Sequence, residues 1–275
     1  MKFSKVKILT IQKNDFPPSI VNLLLKEGQR FEVDGYFQEA LGTGIIFCVG
    51  SARSGKTSLA YSFLDYVIRF TNRPVILDSF PQKVIDEGIP DHWKNRVSNT
   101  PFNEIASINE PAVWLVDDTG VHYSSRRSLE SNGRILSSVA GILSHFGGGM
   151  TVIFTTQSLS AIDLSFLRFT TIAPCIRWVD KDVLHTERKE WLGEVKHGNY
   201  LLSQVSKDIR LRDYFYSSKD GCIVKAPFPE FLNKEIDPVK ADLMSRPMRY
   251  HTQEDKERMI GIKEKKLIKR RVKNE

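Results

Sequence analysis

The chain has 275 residues, 41% hydrophobic and 27% charged, with 40 Lys and Arg against 33 Asp and Glu for a formal charge of +7. That is enough chain for one large α/β domain with a small appendage. It has no apolar run near the roughly 20 residues of a bilayer span, no apolar core behind the basic start to make a signal peptide, and three scattered cysteines that form neither a disulfide framework nor a zinc-ligand pair. Cys48, Cys175 and Cys222 are odd in number and widely spaced, and two of them sit in apolar, strand-like runs, which reads as buried free thiols of a reducing, cytoplasmic compartment, a host cytoplasm or virion included.

Residues 1–40 read as an N-terminal extension: Pro17-Pro18 interrupts the chain, 21–25 is a short helical run and 31–37 is strand-like. Residues 41–245 read as the main domain, in which strands and helical patterns alternate, predicting a mainly parallel sheet covered by helices. The first strand, 44–49, runs into Gly50-Ser51-Ala52-Arg53-Ser54-Gly55-Lys56-Thr57, a complete phosphate-binding loop. A helical pattern follows, with Leu59, Phe63, Val67 and Phe70 on one face. That is the strand, loop, helix context the motif requires, and it argues against a coincidental turn.

A second strand, 74–77, ends at Asp78, and a third, 112–116, ends at Asp117-Asp118. A long helix follows, with Ile135, Leu136, Val139, Ile142, Leu143 and Phe146 as a sheet-facing stripe and Gly147-Gly148-Gly149 as its stop. The fourth strand, 151–156, ends at Gln157, and a fifth lies within 171–178. After Lys181 the pattern reads as irregular, with a hairpin near 214–221. Residues 246–275 form a basic tail, read as an exposed helix or disorder. Its stretch 263–273 holds seven basic residues and one acid, which suits a solvated terminus, an arm on DNA phosphates, or a helix docked on a neighbouring subunit.

The chemistry implied is nucleoside triphosphate binding. Gly50 and Gly55 let backbone N–H groups converge on phosphates, and the helix from Lys56 adds its positive end. Gly50, Ser51, Ala52, Arg53, Ser54, Gly55, Lys56, Thr57 and Ser58 are the candidate nucleotide-binding residues. Lys56 is expected on the β- and γ-phosphates, and Thr57 and Asp117 on Mg²⁺. Asp118 is positioned to polarise the attacking water. Gln157 is placed to bridge water and γ-phosphate if the fourth strand lies between the first and third. Arg126, Arg127, Arg134 and Arg168 are candidates to complete a neighbour's site, in that order.

With these motifs in place, the chain resembles the additional-strand P-loop ATPases, and within them the FtsK–HerA superfamily of DNA-pumping motors, in its Zot-like and viral DNA-packaging branch. The resemblance rests on Gly50 to Thr57 and on Trp114-Leu115-Val116-Asp117-Asp118-Thr119-Gly120. It continues through Ser125-Arg126-Arg127-Ser128 and Ile153-Phe154-Thr155-Thr156-Gln157-Ser158, with Ile162-Asp163-Leu164-Ser165-Phe166-Leu167-Arg168 after them. It implies an α/β RecA-like sheet of order 5-1-4-3-2, ATP and Mg²⁺ as cofactors, a ring, expected to be a hexamer, around double-stranded DNA, and a viral or plasmid protein as recruiter. Two departures stand out. The family's Asp-Glu is Asp117-Asp118 here, which sets the second carboxylate about a methylene further back and predicts slow hydrolysis or help from another group. The membrane segment of filamentous-phage Zot proteins has no counterpart, against a membrane-anchored assembly factor. A P-loop kinase and a nucleotide-controlled scaffold are the rival classes; the paired acids and Gln157 favour water over a small-molecule acceptor.

Overall fold

The structure, a computed structural model, describes residues 44–78, 80–100, 110–118, 150–162, 172–205, 214–218, 221–226 and 228–253. The N-terminal extension, the long helix expected after Asp118, Arg126, Arg127, Arg134 and Arg168, and the tail beyond 253 lie outside them.

The strands are β1 (Gly44–Val49), β2 (Val75–Leu77), β3 (Val97–Asn99), β4 (Val113–Val116), β5 (Thr151–Thr156), β6 (Ile172–Ile176), β7 (Tyr214–Ser217) and β8 (Cys222–Lys225). They form one sheet in the order β3-β2-β4-β5-β1-β6-β7-β8. From β3 to β6 every pairing is parallel, and β7 and β8 add an antiparallel hairpin at one edge. The five expected strands keep the order fifth, first, fourth, third, second. Two additions extend them: β3 beyond the second strand, and the hairpin beyond the fifth.

β1 and β5 are buried along their whole length, as strands covered on both faces must be. Alternation then divides the core. Ile46 and Cys48 join the layer under α1 (Lys56–Phe70), whereas Ile45, Phe47 and Val49 join the opposite layer. Phe47 and Phe154 stack across β1 and β5 at 5.3 Å. Leu59, Phe63 and Val67 of α1 are buried as the stripe predicts, but Phe70 is exposed and leans on Tyr66 at 4.5 Å.

The expectation of irregular chain after Lys181 is corrected. A short helix α2 (Lys181–Leu184) leads into α3 (Lys189–Val205), which buries Val195, Leu201 and Leu202 in the second layer. Its apolar stripe is interrupted by Gly198, and the reason is contact: a Cβ there would lie 2.7 Å from the Tyr216 ring of β7. Tyr216 then reaches Glu194 with its hydroxyl at 2.9 Å. The chain returns through α4 (Pro238–Ser245), capped by the Asp237 carboxylate on the Lys240 N–H at 2.9 Å. Leu243 and Met244 enter the α1 layer, and Tyr61 donates its hydroxyl to Met244 O at 3.1 Å.

Asp65, on α1, gathers Arg69 Nε at 2.7 Å, His92 Nε2 at 2.6 Å and Trp93 Nε1 at 2.9 Å, fixing the 3₁₀ turn Asp91–Arg96 against the helix. Burial pushes its carboxyl pKa up, but the hydrogen bonds from Trp93, His92 and Arg69 outweigh burial and hold it below the usual value. Asp65→Asn should therefore cost about 2 kcal/mol. The wild-type advantage is complete above the ordinary carboxylate value of 3.8 and disappears as pH falls through the lower folded value. Paired thermal melts of the two proteins across acid pH check both the size and the sign.

Candidate active site

β1 delivers the chain into the phosphate loop, and the loop is tied to both neighbouring strands. Gly50 N–H donates to Thr156 O at the end of β5 (3.1 Å), and Ser51 N–H to Trp178 O just past β6 (2.9 Å). Two loop residues take left-handed backbone, Arg53 at φ 66° and Gly55 at φ 89°. Glycine adopts this freely; at Arg53 it stores strain of about 1–3 kcal/mol, a feature that concentrates at ligand sites. Gly50 answers a different need. A Cβ there would sit 2.3 Å from Ser54 Oγ and 2.8 Å from Arg177 Cβ, so any side chain would push the loop off its strand.

α1 starts without help. Gly55 offers no side-chain cap, and the first turn carries no acid. The N–H groups of Lys56, Thr57 and Ser58 have no helical acceptor. Ser54 is buried, and its hydroxyl has no hydrogen-bond partner among the described residues. Orphaned donors, a buried unpartnered hydroxyl and a cradle that a Cβ would fill are what a phosphate chain fits. Ala52 and Arg53 are exposed at the loop's outer rim.

The acidic half of the site comes from β4 and β5. Asp117 is buried at the end of β4; its Oδ1 accepts hydrogen bonds from Thr155 Oγ1 at 2.5 Å and from Thr57 Oγ1 at 3.2 Å. Thr155 also accepts the Asp118 N–H at 2.8 Å, so one hydroxyl sets both the Asp117 side chain and the Asp118 backbone. Asp118, half-buried, takes a left-handed conformation at φ 49°. Burial drives the Asp117 carboxyl pKa up. The Thr155 hydroxyl and the Lys56 ammonium pull it back, Asp118 pushes it further up, the Thr57 hydroxyl pulls it back again, and the net shift is upward. A buried carboxylate sharing an oxygen with a threonine hydroxyl is a donor set suited to a hard divalent cation; Thr57 and Asp117 could hold one.

β5 lies between β1 and β4, the condition under which Gln157 ends between loop and acids, and Gln157 is exposed there. Lys56, Thr57, Asp117, Asp118 and Gln157 thus share the C-terminal edge of three adjacent strands. Of the expected thiols, Cys48 and Cys175 are buried and face each other in register beneath the loop; burial pushes the Cys48 thiol well above its usual range. Thr155 was missed as a site residue. Its signal was a hydroxyl near the end of a fully buried central strand, where such a group needs a partner.

No protein-family model matches the chain, and no curated protein matches it. Among solved structures it is similar to the DNA-packaging ATPase of Sulfolobus turreted icosahedral virus, at 13% identity over 66% of this chain and 96% of that one, TM-score 0.43. It is similar also to the genome packaging NTPase of Sulfolobus turreted icosahedral virus 2 in complex with ATPγS, at 12% identity over 68% and 98%, TM-score 0.46. A third likeness is to the pCW3 conjugation coupling protein TcpA with ATPγS, at 10% identity over 74% and 65%, TM-score 0.45. At such identities and scores these likenesses assign neither activity nor substrate. The phosphate loop after β1, the acids after β4 and the strand inserted between them make the chain, by fold, an additional-strand P-loop protein.

Proposed function

We propose that the protein is a Mg²⁺-dependent ATPase that moves or packages double-stranded DNA as a ring. The observation that carries the nucleotide half is the contact of Thr57 with the buried Asp117: it joins the phosphate loop to the acidic strand end across an intervening strand. Lys56 and the N–H groups of the loop and of the first turn of α1 hold the triphosphate and neutralise charge on its β- and γ-phosphates. Thr57 and Asp117 would hold Mg²⁺, which would supply charge neutralisation to the triphosphate. Asp118 polarises the attacking water, and the Gln157 amide orients it.

The DNA half is supported by the motif resemblance and by the net charge of +7 with its concentration at the C-terminal end. Arg126 or Arg127, following the acids closely, is the first choice to reach a neighbour's γ-phosphate in a hexamer, ahead of Arg134 and Arg168. The test is ATP hydrolysis with and without duplex DNA over a salt series. Stimulation that fades as salt rises is the expected result, because phosphate contacts act through counterion release. Turnover that duplex DNA leaves unchanged at low salt would favour the nucleotide-controlled scaffold instead.

A further inference from the structure

The segment 177–188, which leads from β6 through α2 to α3, does more than connect them. At its start Arg177 N–H donates to Val49 O at 2.7 Å, at the foot of the phosphate loop. Ser51 is then gripped twice, its N–H by Trp178 O at 2.9 Å and its Oγ by the Asp180 N–H at 2.6 Å. Between these, Val179 is clamped through both its backbone groups by the Asn199 amide of α3, at 3.0 and 2.6 Å. The segment therefore follows Ser51, and α3 backs it.

Its far end grips a different loop. Glu187 is buried, and its Oε2 accepts both the Ser158 hydroxyl and the Leu159 N–H at 3.0 Å, directly after Gln157. Arg188 adds a hydrogen bond to Ile162 O at 2.5 Å. On the near side of Gln157, the Thr156 hydroxyl donates to Ser158 O at 2.9 Å. The glutamine thus sits between two fixed residues.

A buried carboxylate is costly unless its hydrogen bonds are made, and Glu187 uses both oxygens, Oε1 taking the Arg188 N–H at 2.9 Å. Capping the 3₁₀ turn Leu159–Ala161 does not account for it, because Ser158 Oγ already caps that turn through the Ser160 N–H. What Glu187 adds is the joint between the turn and the segment that holds Ser51.

We propose that Glu187 is a positioning residue that makes segment 177–188 a mechanical link between the phosphate loop and the Gln157 loop. Displacement of Ser51 when phosphates enter the loop then reaches Gln157 through hydrogen-bonded backbone. The link is read from hydrogen bonds alone; its consequence for hydrolysis rests on the ATPase reading above. A chain of contacts becomes coupling only when both ends respond to one perturbation.

Hydrogen–deuterium exchange on the full chain, with and without ATPγS, supplies that test. In the wild type ATPγS should slow exchange in both 51–58 and 158–162. In Glu187→Ala the first response should persist and the second shrink at least threefold. Glu187→Gln, whose amide oxygen can still accept both bonds, should keep part of it, and with Ser158→Ala it carries the test if the alanine variant does not fold. An undiminished 158–162 response in Glu187→Ala, or no response of either loop in the wild type, overturns the proposal. Kinetically, Glu187→Ala should lower kcat about tenfold with KM within twofold, and adding it to Gln157→Ala should cost nothing more. Losses that multiply would separate Glu187 from Gln157. Gln157→Ala with unchanged kcat would instead sink the hydrolytic role of Gln157, while the exchange data alone decide the link.

Discussion

Lys56→Ala is expected to lower ATP turnover by on the order of 10²–10³-fold while leaving the melting temperature of the nucleotide-free protein almost unchanged. The reason for the split is location. Lys56 opens α1 at the mouth of the loop, partly exposed, and belongs to neither core layer, so its loss removes charge where the triphosphate gathers negative charge and, beyond that, only a pull on the Asp117 carboxyl that is smaller than the Thr155 hydroxyl's. Phosphate release and a thermal melt on the same preparations measure the two halves. Equal turnover in wild type and variant would remove the phosphate loop from the chemistry altogether.

Asp117→Asn should move activity and stability in opposite directions. Turnover is expected to fall by on the order of 10²–10³-fold, with Mg²⁺ no longer affecting what remains. Without nucleotide or metal, however, the variant should melt a few degrees higher than wild type at neutral pH. The folded protein holds the Asp117 carboxyl above its ordinary value of 3.8, chiefly through burial, so the folded state binds that proton more tightly than the unfolded chain. The associated stability is complete below 3.8 and is lost as pH rises through the folded value. Asparagine keeps an oxygen for Thr155 and Thr57 without the buried charge. Melts of both proteins in chelator should therefore diverge as pH rises and converge toward pH 4; a variant that melts below wild type at pH 8 would contradict this account.

The central sheet was legible because its strands carry their own signals. The apolar runs at 44–49 and 113–116 and the threonine-flanked run at 151–156 belong to parallel strands covered on both faces, and they end at Gly50, Asp117 and Gln157 respectively. Strand order was not in the spacing; it came with the family resemblance, and the paired registers of β1 and β5 and of β4 and β5 agree with it. What stayed hidden depends on tertiary contact. Gly198 breaks the stripe of α3 because Tyr216 fills the space a side chain would need. β3 is three residues held at an edge, where Asn99 exchanges hydrogen bonds with the backbone of Phe80. In the site, types and spacing announced Lys56, Thr57 and the two acids. Thr155 and Glu187 could not be announced, because an isolated threonine or glutamate means nothing until the fold shows which donors and acceptors surround it.

The hydrogen bond from Tyr61 to Met244 spans 183 residues of sequence, and that interval is also a time. A ribosome adding roughly 5–20 residues per second needs about 10–40 s to cover it. Throughout that period α1 keeps an aromatic face, including Tyr61, without the lid that Leu243 and Met244 provide. Contacts this distant in sequence form late and leave apolar surface open meanwhile. The order of synthesis thus places the phosphate loop well ahead of the segment that covers its helix.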